Sequence, residues 1–513
     1  MQKDRLLDKI KNHKNLQKEI RKQKSKGKTI VQCHGVFDLV HPGHIYYFNQ
    51  ARQLGDIVVV SVVNDKYTQK GPGRPYFPEK LRMEWLASLS QIDYVTLCDS
   101  PGPWEVMEAI RPDIYVKGKD TMHLLDDATS GLFKDKETIE KLGGKMHFTE
   151  TLPIHSPDLI QEFFKTTPPE IEVFLNNFKL KYSKEEIKKI IRDIIKAKLK
   201  VLIIGETIID EYHYVLTLGK PSKSNVMSTK YMEKEGFPGG ALAYANHMRD
   251  FCPKIDLLTY LGKDDSKEEY IRSNLKKNIN PILFFRNNAP TIIKRRFVDS
   301  IYLGKLFEVS FINDNHVEKN VETEIIKWLN GNIKKYDLVI AADYGHGLLT
   351  PKIIDILSKK AKFLAVNAQV NSVNQGINPV IKYPRADYAC IDEQEARLSV
   401  HDRFSDIKEI IAKICKKVSV NKFTVTMGKK GSLTYDKKTK FTEVPSFASK
   451  VVDPVGAGDA YLAISSLGAV SNLNNLLVGF LGNIAASMAT KIVCNRSSIK
   501  LADFMKEIDY LLG

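Results

Sequence analysis

The sequence predicts an α/β protein built from two doubly wound domains, the second carrying a β lid. Two observations predict it. Short apolar runs alternate with helical patterns over residues 29–165, and a fresh alternation starts at Val201-Leu-Ile-Ile204 and continues to the end. Between them Pro168-Pro169 punctuates the chain, and 513 residues exceed what one hydrophobic core organises.

Residues 1–28 read as a charged N-terminal helix with a weak apolar face of Leu6, Leu7, Ile10 and Ile20. In the first domain, 29–165, strands are expected at Thr29–Cys33, Asp56–Val63, Tyr94–Leu97, Ile114–Val116 and Lys145–Phe148. Helices are expected at Ile45–Leu54, Pro78–Ser88, Trp104–Ile110 and Lys136–Leu142. Strands separated by helices imply a parallel sheet, with ligands outside the carboxyl ends of its strands. Residues 166–200 read as a linker and a helix, with Ile187, Ile190, Ile191, Ile194 and Ile195 on one stripe. In the second domain, 201–513, strands are expected at Leu338–Ala341, Phe363–Val366 and Lys422–Thr426, helices at Pro351–Ala361 and from about Gly456. The pieces Ile292–Val298 and Leu306–Phe311 fit a β lid over that core.

Composition narrows the function classes. The net charge of +16 comes from scattered lysines, which suit a solvated surface or attraction of anionic small molecules. No basic motif is interleaved with aromatics, so nucleic acid is not an expected partner. Six widely spaced cysteines without a CxxC pair argue against zinc or a disulfide framework and for a reduced, cytoplasmic setting. No secretory leader and no run of 18 apolar residues is evident, so no membrane span is expected.

The first chemical signal is Gly35-Val-Phe-Asp-Leu-Val-His-Pro-Gly-His44, at an expected strand-to-helix turn. A helix N-terminus there favours an anion, and Gly43 lets phosphate approach the backbone. His41 and His44 are suited to stabilising charge on a phosphate under attack. With Lys70-Gly-Pro-Gly-Arg-Pro75, a helix carrying Arg82, and Arg111-Pro-Asp-Ile-Tyr-Val-Lys-Gly118, this phrase resembles the cytidylyltransferase-like nucleotidyltransferases. More closely it resembles the transferase half of the bifunctional heptose-phosphate kinase/adenylyltransferases. The resemblance implies catalytic His41 and His44, and nucleotide or phosphate contacts from Gly35, Phe37, Asp38, Gly43, Lys70, Arg74, Lys117 and Gly118. It also implies a Ser/Thr-rich turn for the β- and γ-phosphates. Here only Ser156 remains, in Ile154-His-Ser-Pro-Asp158. ATP is the implied donor, with CTP possible, and Mg²⁺ rides on the triphosphate.

The second signal is Val452-Asp-Pro-Val-Gly-Ala-Gly-Asp-Ala460. Gly456, Ala457 and Gly458 open a helix whose amides make an anion hole, and Asp459 is placed to take a proton from an attacking hydroxyl. Together with Gly205-Glu-Thr-Ile-Ile-Asp210, Pro238-Gly-Gly-Ala241, Ala342-Asp-Tyr-Gly-His-Gly347, Asp392-Glu-Gln-Glu395 and Thr426-Met-Gly-Lys-Lys-Gly431, it resembles the ribokinase family. That resemblance implies sugar contacts from Asp210, Gly239, Gly240 and Asn246, nucleotide contacts from Thr426, Gly428 and Gly431, and Glu395 organising Mg²⁺ through water. A monovalent cation is possible at the same site. Three positions depart from the pattern. Glu206 stands for Asp, Asp392 for Asn, and Val366-Asn-Ala-Gln-Val-Asn371 stands where an Asp-Pro-Lys segment is usual. Lys294, Arg295 and Arg296 are placed to restore the lost positive charge, with Lys294 and Arg296 as candidate sugar-phosphate contacts.

The reading is a bifunctional enzyme whose transferase precedes its kinase, the reverse of the usual order. One domain would phosphorylate a sugar or sugar phosphate. The other would join a nucleotidyl group to a sugar 1-phosphate, releasing pyrophosphate, to activate a heptose-like sugar for surface polysaccharide. Its partners would be small molecules and a second copy in a dimer. Alternatives are a single active domain beside a scaffold, CTP-dependent transfer to a polyol phosphate, and a basic regulatory protein.

Overall fold

The computed structural model describes residues 8–68, 75–126, 130–150, 168–301, 303–449 and 451–513. The chain divides into two compact units, Met1–Thr166 and Thr167–Gly513.

Among the described residues, the first unit is one parallel sheet of β1 (Ile30–Gly35), β2 (Ile57–Val63), β3 (Tyr94–Cys98), β4 (Ile114–Gly118) and β5 (Lys145–Thr149). Their order is β3-β2-β1-β4-β5. The chain reverses direction across the sheet between β1 and β4, so the carboxyl ends of these two strands flank the crevice where ligands settle. β1 and β2 are apolar on both faces because helices cover both. Val31, Val58, Val60 and Phe48 pack on one side, and Leu16, Ile20, Val59 and Ile110 on the other.

The N-terminal helix is shorter than 1–28. It runs His13–Lys24, starting where the Asn12 side chain accepts from the Asn15 amide. Ile10 is diverted into a bridge with Val95. Leu6 and Leu7 lie outside the described residues.

The second unit begins with helices Pro169–Lys179 and Lys184–Lys196, the latter opened by a Ser183/Glu186 capping box. Neither behaves as a linker. Leu175, Phe178, Ile187, Ile191 and Ile194 are buried in the core of this unit, and Phe178 stacks on Phe480.

Its main sheet joins β6 (Lys200–Gly205), β9 (Lys254–Gly262), β10 (Ile279–Arg286), β13 (Leu338–Asp343), β14 (Leu364–Ala368), β15 (Arg385–Asp392), β16 (Ser419–Thr426), β17 (Ser432–Asp436) and β18 (Lys440–Val444). The order is β10-β9-β6-β13-β14-β15-β16-β17-β18. It is parallel as far as β16, and β17 and β18 then turn back antiparallel. The lid is a separate sheet, β12-β11-β7-β8, of β7 (Thr207–Gly219), β8 (Ser228–Gly240), β11 (Ile292–Asp299) and β12 (Lys305–Phe311). Half of it is thus the long hairpin directly after β6, where Asp210↔Phe237 and Ile208↔Gly239 are in register.

Candidate active sites

In the first unit the Gly35–His44 phrase leaves the end of β1 and enters helix Pro42–Gln53. His41 is the N-cap, extended, with its Nδ1 accepting from the Gly43 amide at 3.1 Å. Because Nδ1 accepts, the neutral ring carries its proton on Nε2. The His41 and His44 rings lie 3.9 Å apart between centroids, and Phe37 meets His44 edge-on at 5.3 Å. Phe37 adopts φ 50°, a strained left-handed conformation for an aromatic residue, and its ring lies against Gly35.

Asp38 is buried, and its carboxylate accepts from the amides of Tyr76 (2.7 Å) and Phe77 (3.1 Å). It therefore tethers the strand-to-helix turn to the chain just after residues 69–74. Arg82 is fully buried and closes the same corner. Its guanidinium donates to the carbonyls of Val36, Phe77 (2.9 Å) and Val63 (2.9 Å) and to Asp65 (2.5 Å).

Lys117 and Gly118 end β4 at the same edge of the sheet, across the switch point from the histidines. Lys117 Nζ lies 3.9 Å from Asp135. Burial raises the pKa of Asp135, and the Lys117 ammonium opposes the rise. His34, buried against Ser61 at 2.9 Å, is held well below its ordinary pKa by burial and by Lys117. Its ring stays neutral. Lys70, Arg74 and Ser156 lie outside the described residues.

In the second unit a cavity of about 280 Å³ brings most of the kinase candidates together. Asp210, Gly240, Lys294, Arg296, Glu395, Thr426, Gly456, Gly458 and Asp459 all line it. Gly456 precedes helix Ala457–Val470 at φ 84°, and a Cβ there would collide with Asn495. Asp459 sits in the first turn of that helix. Its Oδ1 accepts from Tyr344 Oη (3.1 Å) and Gln369 Nε2 (2.7 Å). Burial pushes its pKa up to about 6 against these donors, with Asp210 adding to the rise.

On β11 side chains alternate between faces. Lys294 and Arg296 line the cavity, whereas Arg295 pairs with Glu211 at 2.8 Å beside the Phe311 ring. Arg296 bonds Asp210 at 2.5 Å and Glu308 at 2.9 Å. Lys294 is buried yet makes no hydrogen bond or ion pair within the described residues. Burial lowers its pKa, and Asp210 and Glu308 act against that. Gly239 underlies Asp210, because a Cβ there would collide with the Asp210 carboxylate.

Glu395 and Asp392 form a reciprocal helix cap. The Glu395 oxygens accept from the amides of Val370 (2.9 Å) and Asp392 (2.8 Å), which fixes the turn presenting Gln369. Burial, then Asp392, pushes the Glu395 pKa up to about 8. Glu206 is buried beneath the cavity, where its carboxylate accepts from the amides of Tyr344 (3.0 Å), His346 (3.2 Å) and Leu348 (3.2 Å). Asp453, just upstream of the glycine turn, takes four donors: Lys305 (2.7 Å) and the Val455 amide (3.1 Å) on Oδ1, Tyr212 (2.7 Å) and the Cys494 amide (3.1 Å) on Oδ2.

Five expected contacts do not line this cavity: Gly239, which underlies Asp210, Ala457, the first residue of the helix after Gly456, and Gly428, Gly431 and Asn246. Gly428 and Gly431 shape the turn after β16, with Met427 donating to the Gly431 carbonyl at 2.7 Å, and only Thr426 reaches the cavity. Asn246 opens onto a different cavity. It lies two residues beyond Tyr244 on helix Ala241–Met248, about 200° around the axis. Tyr244 takes the inner face instead, donating to Asn367 at 3.2 Å. Tyr344, Gln369 and Asn495 also line the active cavity without having been expected there.

Comparison with known proteins gives the architecture its family. The pfkB family carbohydrate kinase model matches residues 198–491. The chain belongs to the pfkB family of carbohydrate kinases. A cytidylyltransferase-like model matches residues 33–220, so a cytidylyltransferase-like domain precedes the kinase. Phosphofructokinase-2 from Escherichia coli, in complex with substrates and products, superposes with a TM-score of 0.51 at 13% identity. The superposition covers 61% of this chain and 99% of that one, and the likeness is one of fold. The bifunctional protein HldE of Syntrophotalea carbinolica is 37% identical over 144 residues, 28% of this chain and 28% of that one. HldE of Citrifermentans bemidjiense is 38% identical over 156 residues, 30% of this chain and 31% of that one. Each match thus spans under a third of the curated relative. No helix among the described residues is long and apolar enough to cross a membrane.

Proposed function

We propose that the chain is a bifunctional enzyme of nucleotide-sugar synthesis. The observation that carries the kinase half is the shared cavity of Asp459, the Gly456–Gly458 turn, Asp210, Lys294 and Arg296. A sugar hydroxyl held by Asp210 attacks the γ-phosphorus of ATP, its proton passes to the Asp459 carboxylate, and ADP leaves. Tyr344 and Gln369 orient that carboxylate. The amides of the glycine turn receive the γ-phosphate. The unpartnered, buried Lys294 ammonium and Arg296 favour a sugar that already carries an anionic group.

Among the described residues no group of three His, Cys, Asp or Glu forms a metal cage. Asp392 and Glu395 line the cavity, and the Glu395 oxygens keep lone pairs beyond their amide donors. They fit a Mg²⁺ ion held through water, which when bound neutralises triphosphate charge.

In the first unit a sugar 1-phosphate oxygen attacks the α-phosphorus of ATP or CTP, and the bond to pyrophosphate breaks. His41, His44 and Lys117 supply the positive and hydrogen-bonding groups at the switch point. The likeness to HldE favours ATP and a heptose-like sugar. Nucleotide and sugar-phosphate substrates, together with six free cysteines, support a cytoplasmic setting. The exposed residues Phe307, Val309 and Phe311 share one face of β12 and suit a second copy in a dimer, checked by light scattering.

The test is a panel of ATP and CTP with sugars and sugar phosphates, reading phosphorylated sugar and pyrophosphate separately. Asp459→Asn should abolish phosphorylation alone and His44→Ala pyrophosphate release alone. Persistence of either activity in its own variant refutes that half.

A further inference from the structure

The kinase unit holds a second cavity, of about 340 Å³, that the chemistry above does not use. Its inner wall is Asn246, His247 and Asn495, all buried. Its mouth carries Arg249, Lys276, Arg496 and Lys500, opposed among the lining residues by one acid, Glu235. Lys276 and Lys500 make no ion pair within the described residues. Serines 273, 497 and 498 add hydroxyls between the cations.

The second observation is an unsatisfied acceptor. Asn246 is 8% exposed, and its Nδ2 donates to the Asn274 carbonyl at 3.3 Å, but its Oδ1 has no hydrogen-bond partner. A buried acceptor left without a donor is costly, so a ligand that donates to it is favoured. Arg249 Nε is likewise buried without a hydrogen bond, although Asp250 lies 3.3 Å away. Inner and outer walls thus ask for different groups: a hydroxyl that donates to Asn246, and an anion that takes the cations.

We infer that this cavity binds a phosphorylated polyol or sugar phosphate as an effector of the kinase. Coupling follows from one shared residue and its neighbour in sequence. Asn495 lines both cavities, and the next residue, Arg496, is held by Glu235 through Nε at 2.7 Å and through its second nitrogen. Glu235 lies on β8, which leads into the Gly239-Gly240 turn beneath Asp210. An anion competing for Arg496 releases Glu235, and with it the support of Asn495 beside Gly456.

The experiment is hydrogen exchange of the full chain with glycerol 3-phosphate as the probe, read in peptides covering residues 270–278. That stretch supplies Ser273, Asn274 and Lys276 to this cavity and nothing to the Asp459 cavity. Protection should appear there. The half-maximal concentration should rise about tenfold or more in Lys276→Glu/Lys500→Glu, a change of exposed residues, and stay within about twofold in Lys294→Met. No protection in 270–278 overturns the proposal, as does protection that follows Lys294 rather than Lys276 and Lys500. Inorganic phosphate protecting as well as glycerol 3-phosphate overturns the hydroxyl contact at Asn246. Unchanged phosphorylation kinetics at saturating probe overturns the effector role.

Discussion

Replacing Asp459 by Asn should stop phosphorylation and, at the same time, stabilise the kinase unit above pH 6. The carboxyl has a pKa of 3.8 in an exposed chain and about 6 in its buried site. Between those values the folded state holds a proton that the unfolded state has released. Above both, the folded state carries a desolvated charge, and the penalty is full there and absent below the unfolded value. At about 1.4 kcal/mol per pH unit, the difference amounts to about 3 kcal/mol at pH 8 and roughly half of that at pH 5. Asn keeps an acceptor for Tyr344 and Gln369 and never ionises. Urea or thermal unfolding of the full chain at both pH values measures the gain, with phosphorylation assayed on the same samples. An Asp459→Asn protein that is less stable than the parent at pH 8, or whose gain does not shrink toward pH 5, would refute the idea that burial of this charge is the dominant influence.

Tyr344→Phe removes one donor to the Asp459 carboxylate, worth about 1.5–3 kcal/mol for a charged acceptor. The acid limb of the kcat/KM profile for phosphorylation should move up by about one to two pH units while the plateau above about pH 9 changes little. Gly239→Ala pushes a methyl into the Asp210 carboxylate, so the KM for sugar should rise about tenfold or more with the KM for ATP nearly unchanged. Arg82→Met leaves the carbonyls of Val36, Val63 and Phe77 without their donor, and the first unit should lose about 3 kcal/mol or more. Calorimetry should show one transition lowered and the kinase transition unmoved.

The alternation of strands and helices was legible because both units bury their sheets, and buried parallel strands write continuous apolar runs. The two glycine-bearing turns were legible because they place glycine where a helix opens toward an anion. Partners that reach a site from distant elements were not. Tyr344 and Gln369 leave β13 and β14, and nothing in their local sequence says that both converge on Asp459. Asn246 misled because a motif fixes residue types while helical phase fixes direction, and Tyr244 occupies the inward phase. The long hairpin of β7 and β8 escaped notice because its outer half is exposed and polar.

Asp38 and Glu206 show a further limit. Asp38 gives one oxygen to the amides of Tyr76 and Phe77, and Glu206 gives both of its oxygens to the amides of Tyr344, His346 and Leu348. A carboxylate with two or three amide donors is a loop clamp. The sequence carries the residue but not the count of its donors.

The four donors on Asp453 bear on how the kinase unit opens. Lys305 sits at the start of lid strand β12, and the carboxylate it grips lies three residues before Gly456. Lid and anion-binding turn are therefore fastened at one rivet. A lid that lifts at this end must drag the turn with it, or strand a buried carboxylate without its Lys305 and Tyr212 donors. Product escape and disassembly of the phosphate cradle then become a single movement, and the fully formed cradle exists only while the lid is down.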